Sequence, residues 1–430
     1  MSFRKWIERL KAAGQLVEAK KPLSSHLEAA AFIKALEPKP LLFRVDKFEI
    51  PVAANICASR NLIADYLNIP PSQIVPSLLN AIEHPTKPKR ASNPPCFEVS
   101  ERRVDLDELP LLLHAEKDGG KYISSAVIIA RHPESGQNVS FHRLMQISGD
   151  ELAIRIVPRH LHAILEKTQG ELPIAICIGN SPNVLLAGAC SVEFGRDELE
   201  IANTLEPLQV AECPDANCHV PAESEFVLVG KITDRTHEEG PFIDLTETYD
   251  LVRSQRVVKV EKIYHRQRPT YHALLPGGLE HKMLMGVPRE PIIYREVSKV
   301  CDCVDVLITP GGASWLHAIV KIRKRREDDG RRAIEAAFRG HTSLKHVLIF
   351  DEDINFNDPM EVEWAFATRF QGDHGLVVKE GEIGSSLDPS ADPETRKTTK
   401  VGFDATKPLE VKGKNFEKAK FPELDWSKFT

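Results

Sequence analysis

Phe3, Trp6, Ile7 and Leu10 recur at helical spacing, with Ser2 placed to cap them and Gly14 to stop them, so the chain should open with an amphipathic helix. A second helix is expected near residues 26–36, ended by Pro38 and Pro40. Residues 41–45 and 52–57 read as strands, and 62–66 and 78–82 as helical pieces. Pro85, Pro88, Pro94 and Pro95, spaced by Lys87, Lys89 and Arg90, then mark an extended linker.

From residue 111 the texture turns strand-rich. After the Asp118-Gly119-Gly120 turn come β runs at 125–131, 139–147 and 152–157, then a helix at 161–167, a buried strand at 174–178 and a short helix at 184–189. Strands at 226–232 and 257–263 complete a pattern that suggests a mixed barrel with inserted helices. Past residue 280 helices and strands alternate: helix 292–300, strands 304–308 and 316–322, helix 331–338, strand 347–350, helix 360–369. The expected fold is therefore mixed α+β in three parts: an α/β domain over 1–105, a barrel domain over 106–300, and a C-terminal α/β domain over 301–430. The stretch 385–430 is polar and reads as a tail that wraps the surface or reaches a second subunit. Thr309-Pro310-Gly311-Gly312 lacks the spacing of a dinucleotide loop and receives no phosphate role.

With 430 residues the chain is long enough for two or three cores, and 42% hydrophobic with 27% charged residues is ordinary for a globular protein. A net charge of −6 argues against a nucleic-acid or membrane-surface partner. No apolar run approaches a membrane span, and Met1-Ser2-Phe3-Arg4-Lys5-Trp6 lacks signal-peptide features, so a cytoplasmic protein is expected. None of the eight cysteines forms a Cys-x-x-Cys pair. Cys213 and Cys218-His219 are a loose set better read as packing than as metal ligands.

The chemistry centres on Glu238-Glu239-Gly240-Pro241-Phe242-Ile243-Asp244, where Gly240 frees and Pro241 fixes the backbone between Glu239 and Asp244. Two carboxylates held towards one pocket suit a division of labour between a charged group and a proton carrier. Upstream lie Asn138-Val139-Ser140-Phe141-His142-Arg143, Val157-Pro158-Arg159-His160 and Asp197-Glu198-Leu199-Glu200-Ile201-Ala202, and downstream Lys345-His346-Val347-Leu348-Ile349-Phe350. Asn138 and Arg143 are an odd number of positions apart, which on an ideal strand faces them oppositely. Both can serve one site only across a bulge or a strand end.

These five motifs, in this order from about residue 106 to 408, resemble the UbiD-type decarboxylases, which use prenylated FMN. The resemblance implies a split β-barrel flavin-binding middle domain and a catalytic set of Arg143, Glu239 and Asp244. Arg143 would pair with Glu239 and help hold the substrate carboxylate, and Asp244, where most members carry glutamate, would deliver the proton. It implies Asn138, His160 and Glu198 as ligands of Mn²⁺ or Mg²⁺, with a K⁺ nearby, and places Arg159 and Lys345 near the cofactor. Amide, imidazole and carboxylate donors suit such an ion. The Glu-Gly-Pro-Phe-Ile-Asp form and short chain look most similar to archaeal members that make isopentenyl phosphate from an α,β-unsaturated, phosphorylated acid. An aromatic or heteroaromatic acid decarboxylase of the same family and a non-catalytic flavin carrier are the alternatives. A flavin prenyltransferase as cofactor supplier and a homodimer or larger assembly are the implied partners.

Overall fold

The computed structural model describes the chain except residues 411, 412, 414, 420, 423, 429 and 430, so that part of the expected oligomerisation tail lies outside the described residues. The first helix, Phe3–Ala12, forms as its pattern requires. The Ser2 hydroxyl accepts from the Lys5 N–H, and Phe3, Trp6, Ile7 and Leu10 are all buried. The Trp6 indole donates to the Ile56 carbonyl at 3.0 Å, pinning the helix to the segment after the Pro51–Ala54 strand.

Among the described residues five sheets organise the rest. A four-stranded sheet joins Val17–Glu18, Leu41–Arg44, Pro51–Ala54 and Tyr271–His272, so the middle of the chain returns a strand to the N-terminal region. The central nine-stranded sheet runs, in spatial order, Tyr122–Ile123, Leu144–Gln146, Glu151–Ile154, Arg253–His265, Phe226–Glu239, Leu172–Ile178, Val127–His132 and Gly136–Phe141, with Val99–Ser100 on the flank of Arg253–His265. The path is open: among the described residues no pairing joins its two ends into a closed barrel. A three-stranded and a two-stranded sheet are small additions, the latter pairing Phe242–Ile243 with Tyr249–Asp250.

The expected strand at 139–147 is in fact two. Gly136–Phe141 pairs with Val127–His132, whereas Leu144–Gln146 pairs with Tyr122–Ile123 and Glu151–Ile154. His142 and Arg143 fall in the break, which frees Arg143 from the alternation set by Asn138. The strand starting at Phe226 runs on past the expected end at 232 to Glu239; residues 234–238 are polar and exposed and show no apolar alternation, so the pattern does not mark the extension.

The C-terminal sheet orders Asp302–Ile308, His317–Arg323, His346–Asp351, Lys397–Asp404 and Leu376–Ile383. Lys397–Asp404 corrects the reading of 385–430 as a surface tail: it lies between two strands of this sheet, parallel to His346–Asp351. Its Lys and Thr residues hide it, since Lys400 is buried although charged. Asp329–Gly340 covers the sheet with Ala333, Ile334, Ala336, Ala337 and Phe338.

Candidate active site

A single hairpin gathers most of the acids. Phe226–Glu239 and Arg253–His265 pair antiparallel with Glu239 opposite Arg253, and the connection folds back so that Phe242 lies opposite Asp250. Asp244 begins the tip, its N–H bonded to the Thr248 carbonyl at 3.0 Å. Glu239, Asp244 and Asp250 thereby face the break that carries Arg143.

Gly119 is what lets the hairpin sit there. Its N–H donates to the Pro241 carbonyl at 2.8 Å, and a Cβ at this position would lie 2.1 Å from the Gly240 carbonyl oxygen. Gly240 itself adopts φ +102°, a region open to glycine. Asp118 secures the same turn, accepting from the Ala115 and His114 N–H groups at 3.0 and 3.2 Å and from the Ile243 N–H at 3.4 Å.

Arg143 contacts all three carboxylates. Its Nε and Nη2 donate to the two oxygens of Glu239, Nη1 donates to Asp244 Oδ2, and Nη2 also donates to Asp250 Oδ2, each at 2.9 Å. Phe242 supports the guanidinium from below, its ring centroid 4.5 Å from Arg143 Cζ. Burial disfavours the Arg143 charge, but Glu239, then Asp244 and Asp250, outweigh it and raise its pKa further. Burial likewise pushes Asp250 up, yet Arg253 and Arg143 hold its carboxyl below the usual range. The Tyr122 hydroxyl donates to Glu239 Oε1 at 3.0 Å, completing the shell of that wholly buried carboxylate.

Arg143, Asp244 and Asp250 line a cavity of about 1080 Å³, as do Asn138, Arg159, His160 and Glu198. Asn138 and Glu198 are in direct contact: Asn138 Nδ2 donates to Glu198 Oε1 at 3.1 Å, and the Val139 N–H donates to Oε2 at 2.8 Å. Glu198 follows Asp197, whose carboxylate caps the Glu198–Leu205 helix. Burial pushes the Glu198 carboxyl up to about 8, against the opposing pull of the Val139 N–H, and no basic side chain pairs with it among the described residues. His160 opens the His160–Lys167 helix, its ring edge-on to Phe194 at 5.4 Å, and burial with the Arg159 charge lowers its pKa.

Lys345 is not brought to this cavity. Its ammonium is held by Asp388 at 3.0 Å and by the Ser390 hydroxyl, away from the wall. The lysine on the wall is Lys400, donating to the Thr342 carbonyl at 2.6 Å. Asp250, Tyr122, Arg289 and His341 also belong to the site or its support and carry no motif; only the register of the hairpin or the folding of distant segments brings them in. All eight cysteines are free thiols, with Cys213 and Cys218 buried against each other. Among the described residues no helix is long and apolar enough to cross a membrane.

The three domain models of the 3-octaprenyl-4-hydroxybenzoate carboxy-lyase family match the chain: the N-terminal domain at residues 7–82, the Rift-related domain at 87–279 and the C-terminal domain at 282–405. The chain is 42% identical to the anhydromevalonate phosphate decarboxylase of Methanothermobacter thermautotrophicus over 95% of its own length and 97% of that protein. Its fold superposes with a TM-score of 0.95 on the UbiD-class enzyme HmfF from Pelotomaculum thermopropionicum in complex with FMN, at 36% identity and covering 99% and 98% of the two chains. An evolved dimeric form of the same enzyme, in complex with prFMN, gives a TM-score of 0.92 at 35% identity, with both chains covered in full.

Proposed function

The chain belongs to the UbiD family of carboxy-lyases, and on that footing we propose that it is a non-oxidative decarboxylase, dependent on prenylated FMN, that converts trans-anhydromevalonate 5-phosphate and a proton to isopentenyl phosphate and CO2. The observation that carries this reading is Asp244: it borders the cavity while still tied to Arg143, which is fixed by Glu239. Loss of CO2 leaves an electron pair on carbon that no side chain can absorb, and the flavin supplies the sink. The remaining work falls to this chain. Arg143 orients the substrate carboxylate, Glu239 and Tyr122 keep Arg143 in place, and the carboxyl of Asp244 delivers a proton to the carbon that CO2 has left.

The residues present suit a phosphorylated flavin. The cavity is of a size that takes such a ligand, and the buried Glu198 beside Asn138 has no counter-charge among the described residues, a role a divalent cation would fill. Mn²⁺ or Mg²⁺ held by Asn138, His160 and Glu198, with a K⁺ nearby, would bind the flavin phosphate. The middle of the chain serves as the split-barrel flavin-binding domain between an N-terminal and a C-terminal α/β domain, and the enzyme works as a homodimer or larger assembly in the cytoplasm. The cofactor comes from a flavin prenyltransferase.

Protein co-produced with a flavin prenyltransferase, incubated with trans-anhydromevalonate 5-phosphate, should release CO2 and isopentenyl phosphate in equal amounts, read by mass spectrometry. Turnover of aromatic acids in its place would favour an aromatic acid decarboxylase. Bound flavin with no CO2 from any acid would leave a carrier, for which the Arg143–Glu239–Asp244 set has no use.

A further inference from the structure

The cavity wall contains more positive charge than the catalytic cluster neutralises. Arg289 lies between the Leu279–Gly286 and Glu290–Ser298 helices, is only 9% exposed, and has no hydrogen-bond acceptor among the described residues; its Nε is wholly enclosed without a partner. An unpaired buried guanidinium is costly, and such groups persist where a ligand completes them. Trp315 holds it ready: Arg289 Cζ sits 5.3 Å from the indole centroid, and the indole N–H is fixed by the Ser385 hydroxyl at 3.0 Å. His341 packs edge-on against the same indole at 4.5 Å, and its Nε2 is also buried without a partner.

Arg159, at the start of the His160–Lys167 helix, is likewise without an acceptor on its guanidinium among the described residues. The charges of Arg159 and Arg289 act on each other: burial and Arg159 together lower Arg289 to about 10. Arg289, Arg159 and Lys400 all bear on His341, which burial first of all keeps neutral near pH 7. No carboxylate among the described residues faces either arginine in this group. Cys190, the neighbour of Arg289, keeps its proton because burial raises its thiol to about 12, and Glu382 faces Lys400 and Lys379. All four basic residues line the one cavity. They come from four separate stretches: the start of the His160–Lys167 helix, the helix–helix corner at 289, the end of the Asp329–Gly340 helix and the Lys397–Asp404 strand.

We propose that Arg159 and Arg289, with His341 and Lys400 beside them, bind the phosphate monoester of the substrate and so select a phosphorylated acid. Two guanidinium forks match a dianion with three acceptor oxygens, whereas an aromatic acid would leave them unpaired. Asn138, His160 and Glu198 remain for the flavin phosphate, so the cavity holds two anion anchors. The assignment rests on the decarboxylase reading for the identity of the substrate, not for the existence of the anion site.

The test uses the protein loaded with FMN, titrated calorimetrically with isopentenyl phosphate and with unphosphorylated isopentenol. Wild type should bind the phosphate at least tenfold more tightly than the alcohol. Arg289→Met, which keeps apolar volume over Trp315, and Arg159→Gln, at a solvent-accessible position, should each weaken isopentenyl phosphate binding at least tenfold while flavin content stays at the wild-type level. Unchanged affinity in both folded variants overturns the proposal. Loss of flavin in step with loss of phosphate binding also overturns it, by assigning the arginines to the cofactor's phosphate. Should the wild type bind isopentenyl phosphate through these arginines yet release no CO2 from anhydromevalonate phosphate, the anion site stands and the activity falls. Decarboxylation of anhydromevalonate phosphate with an unchanged KM in Arg289→Met is the opposite case: the activity stands and the anion site falls.

Discussion

Arg143 grips Glu239 with two parallel hydrogen bonds, Nε to Oε1 and Nη2 to Oε2, both 2.9 Å. The fork leaves Nη1 for Asp244 and the second face of Nη2 for Asp250, so one cation sets the geometry of three carboxylates. Such an arrangement depends on planarity as much as on charge.

Arg143→Lys should therefore fail although it keeps the charge. A lysine ammonium cannot span Glu239 and Asp244 in one plane, and a displacement of about 1 Å costs roughly a hundredfold in rate. We expect kcat to fall by that order in a CO2-release assay. A kcat within twofold of wild type would mean that charge alone suffices.

Gly119→Ala tests how the hairpin is seated. The new Cβ would meet the Gly240 carbonyl at 2.1 Å, with Met145 Sδ at 3.1 Å, so the Gly240-Pro241 segment must shift. Overpacking of this kind costs about 1–3 kcal/mol. Urea denaturation should show that loss, and turnover should fall with it because Glu239 adjoins the displaced peptide. Gly120→Ala, whose nearest contact is the flexible Met145 side chain at 3.3 Å, should be the milder variant.

Much of this architecture is legible in the chain. Ser2 with Phe3, Trp6, Ile7 and Leu10 announces the first helix because capping and burial are local matters. The motif order also nominates Arg143, Glu239 and Asp244, and the fold brings these three within hydrogen-bond reach. Lys397–Asp404 escapes a reading by pattern because an inner strand normally shows as apolar, while Lys400 is buried with its charge on the Thr342 carbonyl. Asp250 is hidden for another reason: its place opposite Phe242 is a matter of register, and one slipped residue would turn it away from Arg143. The proximity of Arg159, Arg289 and His341 comes from tertiary folding, which leaves no spacing to read.

Stability should fall with acid. Burial lowers His114 to about 3 and His142 to about 4, so both stay neutral in the folded protein. In the unfolded chain each takes a proton below about pH 6.5. Between about pH 6.5 and 4 the unfolded state thus binds more protons, and stability rises with pH by up to about 1.4 kcal/mol per pH unit for each histidine. The groups facing His114 and His142 are Asp118, with Oδ2 3.9 Å from His114 Nδ1, and Arg155, whose carbonyl contacts His142 Nδ1 at 2.9 Å. Burial raises Asp118, which acts in the opposite sense as it takes its own proton. The urea midpoint should drop from pH 7 to pH 5, and His114→Gln should flatten that slope; an equal slope in the variant would exclude His114 as a source.

His160→Ala addresses the metal. His160 is half-buried at a helix start, so its removal should leave the circular dichroism spectrum intact. If the ion is held through three side chains as proposed, manganese and flavin, measured by elemental analysis and absorbance after gel filtration, should both fall at least tenfold in affinity. Exhaustive chelation of the wild type should release the flavin in the same way. Full occupancy of metal and flavin in the variant would take His160 out of the ligand set.

Asp244 is the most exposed of the three acids around Arg143, its side chain 20% accessible against none for Glu239. It reaches the cavity from the hairpin tip, with Oδ2 on Arg143 and Oδ1 accepting from the Leu245 N–H at 2.6 Å. A buried Glu239 bonded to Arg143 and Tyr122 has little freedom to meet a substrate, which makes Asp244 the proposed donor. Asp244→Asn keeps the shape and one hydrogen bond to Arg143 but removes the acid. Flavin binding should persist, while kcat should fall by about two to four orders of magnitude, the usual share of a general acid. Deuterium from solvent should enter the product carbon at a rate that falls in parallel. Asp244→Glu keeps the acid and lengthens the reach by one methylene, so it should retain partial activity. Wild-type turnover in Asp244→Asn would sink this assignment and make Glu239, or a water held by Asp250, the donor to examine next.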